Sequence, residues 1–84
     1  MIAFAEYKFF TVFQRPVIAG RKTRQYLILN NRTGVRLGEI EWYPNWRQFA
    51  MTPVFNSIWS AGCLADIQDA IAKISEAHKK ESEQ

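Results

Sequence analysis

Residues 60 to 80, SAGCLADIQDAIAKISEAHKK, carry the feature that most limits what this chain can become. Leu64, Ile67, Ile71 and Ile74 recur at three- and four-residue spacing, the period of an α-helix with a single apolar stripe. Ser60 stands where its hydroxyl can accept from an amide of the first turn, as an N-cap does. Asp66 and Asp69 near the start, and Lys79 and Lys80 near the end, match the signs of the helix dipole. One such helix must bury its stripe against another layer, and everything before it reads as strand and turn.

Odd positions from Ala3 to Phe13 (Ala3, Ala5, Tyr7, Phe9, Phe13) are mostly apolar while Glu6 and Lys8 are even, which predicts a first half-buried strand. Pro16, Gly20 and the RKTR run predict an exposed loop. QYLILN, residues 25 to 30, is apolar on both faces and predicts a central or doubly covered strand; NNRTG predicts a tight reversal after it. In VRLGEIEWY the apolar phase switches from odd (Val35, Leu37) to even (Ile40, Trp42). A β-bulge or sharp bend at Gly38 has to absorb that slip, and glycine suits the unusual backbone angles of a bulge. Tyr43-Pro44-Asn45-Trp46 predicts a second reversal, RQFAMT another strand, PVFNS a third reversal, and Ile58-Trp59 a last short strand. The expected fold is α+β, an antiparallel meander of four to five strands followed by one C-terminal helix packed on one face. One small domain spans 1–80, and 81–84 form a frayed tail.

A chain of 84 residues has room for one core, and its six Phe, three Trp and three Tyr supply the bulk that a small core needs. The single cysteine, Cys63, forms no intramolecular bridge, and the Cys and His clusters of a structural metal site are missing, so neither metal nor cofactor is expected. The opening MIAFAEYKFF is apolar but interrupted by Glu6 and Lys8, and reads neither as a signal peptide nor as a membrane span. The expectation is a soluble protein of the reducing cytoplasm, with no membrane partner.

An enzyme is not expected. His78 falls in the last helical turn, where it caps carbonyls or covers the end of the stripe, and Cys63 in the first turn sits among the small residues of AGCLA. Fifteen helical residues separate them by about 22 Å, too far for a dyad. Glu39 and Glu41 share one face of a strand, but nothing nearby splits their pKa values into acid and base. The four glycines are isolated, which excludes a phosphate-cradling loop.

Binding is the remaining class. From Arg15 to Gly38 there are six basic residues and no Asp or Glu, although the net charge is only +3. EWYPNWRQF, residues 41 to 49, then concentrates four aromatic rings and an arginine. Trp42 and Phe49 are expected under the helix with Phe9, Phe13 and Trp59 in the core, leaving Tyr43, Trp46 and Arg47 nearer solvent. The first reading is a module for single-stranded DNA or RNA. Arg21, Lys22, Arg24, Arg32 and Arg36 would meet phosphates, and Tyr43, Trp46 and Arg47 would offer stacking surfaces on the sheet. The alternative is a protein-interaction module, either an inhibitor of a host protein or a homodimer joined through the free sheet face, because interface cores favour the residue types of WYPNWRQFAM.

LGEIEWYPNWRQF together with the helix start CLADI resembles a small family of bacterial and phage proteins marked by an LGxIxWYxxWRQ(F/Y) hairpin and a CLxDI helix start. The resemblance covers residues 24 to 75. It implies a prokaryotic or phage cytoplasmic setting and brings no activity, ligand or catalytic residue with it.

Overall fold

The computed structural model describes residues 1–16, 20 and 23–82. Among them, five strands form one antiparallel meander in the order β1 (Ile2–Glu6), β2 (Phe10–Gln14), β3 (Tyr26–Asn30), β4 (Arg36–Tyr43) and β5 (Gln48–Pro53). One helix, α1 (Ala61–Ser82), follows and packs on the sheet. It runs two residues into the stretch expected to fray, where Glu81 is tied to Arg24.

The segment expected as one strand from Ala3 to Phe13 is a hairpin. Tyr7 N–H donates to Phe10 C=O at 2.9 Å and closes a tight reversal. The buried set therefore switches phase at the turn, from odd Tyr7 to even Phe10 and Val12. Tyr7 and Phe10 face the core, but Phe9 sits at the turn and is 53% exposed rather than buried. Phe13 is half-buried and pairs with Leu27 on the sheet face away from α1.

Cross-strand pairing places Phe10, Val12, Tyr26, Ile28, Ile40, Trp42, Phe49 and Met51 on the helix side. Ile67, Ala70 and Ile74 close this core, each fully or almost fully buried. Cys63 and Ile71 flank them, while Leu64, expected in the stripe, is 49% exposed. The buried line is thus rotated slightly from the one that the Leu and Ile spacing indicates, because small Ala70 lets the helix come close. Full burial of each isoleucine contributes about 1.5–3 kcal/mol.

The phase slip in β4 is absorbed where expected. Ile28 pairs with Gly38 and Leu29 with Arg36, so Leu37 is the extra residue, and it turns into the core. The reason for glycine differs from the expected one. Its φ is not positive; instead a Cβ at position 38 would lie 2.8 Å from the Thr52 carbonyl oxygen. Positive φ is needed elsewhere, at Gly34 (75°), where Gly34 N–H donates to Asn30 C=O and the Asn30 side chain accepts from the amides of Arg32 and Thr33.

The PVFNS reversal forms through Ser57 N–H to Val54 C=O at 3.0 Å, but Ile58-Trp59 is irregular rather than a strand. Trp59 still packs edge-on against Phe10, with ring centroids 6.0 Å apart. Ser60 caps α1 as its position predicts, its Oγ accepting from Cys63 N–H at 3.2 Å. A polar pin ties the first hairpin to the helix: Tyr7 Oη donates to Asp69 Oδ2 at 2.7 Å, and Lys73 Nζ reaches the same oxygen at 2.9 Å. The Tyr7 bond, then Lys73, hold the Asp69 carboxyl below its ordinary range, while burial and the adjoining carboxylate push the Tyr7 phenol up.

Candidate functional site

The β4–β5 reversal is built to show its rings. Pro44 presets the turn, Trp46 N–H donates to Tyr43 C=O, and Arg47 N–H to Pro44 C=O, each at 3.2 Å. Arg47 has φ 53°, a left-handed conformation that costs a side-chain-bearing residue about 1–2 kcal/mol. That kink leaves Trp46 64% exposed with its ring edge-on to Tyr43 at 4.7 Å. Asn45 Nδ2 donates to Tyr43 Oη at 3.3 Å, fixing the second ring. Beneath them Trp42 and Phe49 lie under the helix as expected, with the His78 ring 5.7 and 5.5 Å from theirs. The expected division of this aromatic cluster between core and solvent therefore holds.

Antiparallel pairing brings other chain segments to the same end of the sheet. Gln25 Nε2 donates to Glu41 Oε2 at 2.9 Å, and Arg15 N–H to Gln25 C=O at 2.9 Å, so the β2 end and β3 start adjoin the end of β4. The last turns of α1 arrive there too, because a helix of 22 residues spans about 33 Å and must run the whole length of the strands. Arg24 Nε pairs with Glu81 at 3.1 Å, a half-exposed contact contributing at most about 1 kcal/mol. Arg15, Arg24, Arg47, Lys79 and Lys80 thus share one end with the Tyr43–Trp46 pair. Of these, Arg15, Arg47, Lys79 and Lys80 form no ion pair among the described residues. Arg15 and Arg24 also border a recess of about 340 Å³ with Met1, Ile2, Gln14 and Pro16.

Of the residues singled out in the sequence, Arg24, Tyr43, Trp46 and Arg47 are brought together here. Arg32 and Arg36 are not: they lie at the opposite end of β4, about 23 Å from Tyr43 at 3.3 Å per residue. Arg36 is held by Glu39 at 2.9 Å. Arg21 and Lys22 lie outside the described residues. Arg15, Lys79 and Lys80 join the basic end without having been singled out for it. The signal that finds them is helix length, since a helix that long returns its C-terminal lysines to the level of the β4–β5 turn.

No described element covers the face of the sheet away from α1. Phe13, Leu27 and Leu29 form a half-buried apolar strip on it, bordered by Glu6, Glu39 and Glu41. Among the described residues no three His, Cys, Asp or Glu side chains gather as a metal site, and no helix is long and apolar enough to cross a membrane. Comparison with protein-family models, with curated proteins and with solved structures finds no match.

Proposed function

We propose that this chain is a non-catalytic module that binds single-stranded nucleic acid at its basic end. The observation that carries the reading is the meeting of Arg15, Arg47, Lys79 and Lys80, all without carboxylate partners among the described residues, around the exposed Trp46–Tyr43 pair. Single strands are held by cations along the backbone and by aromatic faces that stack bases, each stack contributing about 1–3 kcal/mol. The turn fixes Trp46 before any ligand arrives, so little ordering opposes binding. The basic end is a better location than the open sheet face, whose apolar strip of Phe13, Leu27 and Leu29 carries no cation to meet phosphates.

Fluorescence anisotropy with labelled single-stranded DNA and RNA of mixed sequence tests the reading. Four phosphate contacts give a slope of log affinity against log salt of roughly −3, and each removed cation reduces its magnitude by about 0.7. Trp46→Ala weakens binding with little change in that slope. Absence of binding at low salt, or a slope unmoved in Arg47→Ala and Lys79→Ala, rejects the proposal.

A second reading, a homodimer through the open face, is favoured by the Phe13, Leu27 and Leu29 strip. Analytical ultracentrifugation of the parent and of Leu27→Glu decides it: a dimer abolished by the substitution supports it, and a concentration-independent monomer rejects it.

A further inference from the structure

The end of the molecule opposite the basic one exposes apolar side chains that the fold does not require. Phe9 is 53% exposed, Phe55 89%, Ile58 94% and Leu64 49%. Hydrogen bonds fix the segments that carry them. Asn31 N–H donates to Phe9 C=O at 3.0 Å, the Asn31 side chain donates to Tyr7 C=O at 2.8 Å, and Val54 N–H donates to Leu37 C=O at 2.9 Å. Phe9 and Phe55 are therefore displayed by closed turns, and Leu64 by the first turns of α1.

Two recesses adjoin at Phe9 and Asn30. One, of about 300 Å³, is walled by Phe9, Leu37, Ile58, Trp59 and Cys63, and is lined mainly by carbon. The other, of about 390 Å³, is bordered by Lys8, Asn31, Arg32 and Thr33. Lys8 Nζ stands 5.2 Å from the centre of the Phe9 ring, and neither Lys8 nor Arg32 has a carboxylate partner among the described residues. An apolar slot thus lies directly beside two cations that form no ion pair among the described residues, with the Asp69 and Asp66 carboxylates turned to Tyr7 on the helix side. Two cations beside an aromatic and aliphatic wall suit a carboxylate next to an apolar side chain in one short segment, rather than a polyphosphate track.

We propose that the Phe9 end docks a short acidic segment of another protein, with an aliphatic or aromatic side chain in the slot formed by Phe9, Ile58 and Trp59 and a carboxylate at Lys8 and Arg32. The site is separate from the basic end, so it stands whether or not nucleic acid binds there. Such a docked segment buries the rings at the centre and keeps the charges at the rim, the usual division of a peptide interface.

The test uses the full chain, labelled with ¹⁵N, and three acetylated hexapeptides: a Leu-Phe centre flanked by aspartates, the same centre flanked by lysines, and a Gly-Ser centre flanked by aspartates. The first peptide is expected to shift amides around Lys8, Phe9, Arg32 and the Trp59 indole, and to bind at least about ten-fold more tightly than the other two. Phe9→Ser, and separately Lys8→Glu with Arg32→Glu, are exposed changes expected to lose about ten-fold each, whereas Trp46→Ala loses nothing. Equal binding of the lysine-flanked peptide, or shifts confined to Trp46 and Arg47, overturns the proposal. Concentration-dependent broadening of the Phe9 end without peptide assigns the slot to a second copy of this chain and overturns it too, as does displacement of the acidic peptide by an oligonucleotide that shifts the same amides.

Discussion

Gly38→Ala isolates the closest backbone approach in the sheet. The added methyl would sit 2.8 Å from the Thr52 carbonyl oxygen and 3.3 Å from Pro53 Cα. Both are backbone atoms of the partner strand, so no side-chain rotation relieves the contact, and β4 and β5 must part by about half an ångström where Val54 N–H meets Leu37 C=O. Overpacking of this kind costs about 1–3 kcal/mol. A domain of this length has a total stability of about 4–13 kcal/mol, so a central value near 2 kcal/mol lowers Tm by about 8–16 °C. Urea titration followed by far-UV circular dichroism and by tryptophan fluorescence measures the change. Gly62→Ala is the control: its Cβ would meet nothing nearer than Ser60 Oγ at 3.9 Å, and in the first turn of a helix it should raise stability by up to about 1 kcal/mol. A Gly38→Ala protein within about 0.5 kcal/mol of the parent would refute the close approach as the reason for glycine.

Other perturbations test the remaining links. Ser60→Ala removes the acceptor for Cys63 N–H and should cost about 1 kcal/mol in the same titration, with helicity lost first at residues 61–64 by hydrogen exchange. The Tyr7 and Tyr26 phenols both have folded pKa values above their ordinary 10.0, chiefly through burial. The unfolded chain therefore loses these protons first. Stability from this source is complete below about pH 10 and falls as pH rises beyond it, and Tyr7→Phe should flatten the alkaline fall of Tm relative to the parent. Trp42→Ala should cost about 3 kcal/mol or more while Trp46→Ala costs under about 0.5 kcal/mol, and equal losses in thermal melts would disprove the division of the aromatic cluster. Saturating the basic end with oligonucleotide should change peptide affinity at Phe9 less than about two-fold at 0.15 M salt, because about 23 Å is nearly three Debye lengths; calorimetric titration of the ternary mixture checks this.

Much of the fold was legible because strong local signals agreed with the tertiary arrangement. The helix announced itself by its stripe and Ser60, the β3–β4 turn by Asn30 and Gly34, and the bulge by the phase change from Leu37 to Ile40. Trp42 and Phe49 followed once the phase after Gly38 was known, since Trp42↔Phe49 and Ile40↔Met51 are facing pairs. The misreadings are local. Following odd positions from Ala3 to Phe13 runs past a tight turn at which the buried set shifts from Tyr7 to Phe10 and Val12, so the hairpin reads as one strand and Phe9 as a core residue. Leu64 misleads for a different reason: its hydrophobicity suggests a core residue, but the buried side of the helix is the one that carries Cys63 and Ala70.

The charge run shows why a linear cluster is a poor map of a surface. Arg15 through Arg36 look like one basic block, yet β3 passes through it and carries its described members to opposite ends of the sheet. Arg15 and Arg24 are left beside the β4–β5 turn, and Arg32 and Arg36 beside Phe9. Neither end therefore holds the whole block. At one end the loss is made up by Lys79 and Lys80, which are far along the chain but are brought back by the length of α1. At the other, Glu39 takes up Arg36, and Arg32 is left with Lys8 next to exposed rings. A meander of short strands under a long helix therefore sorts charge by position along the strand axis, not by position in sequence. The two ends come to differ in chemistry, one cationic and aromatic, the other apolar with a cationic rim.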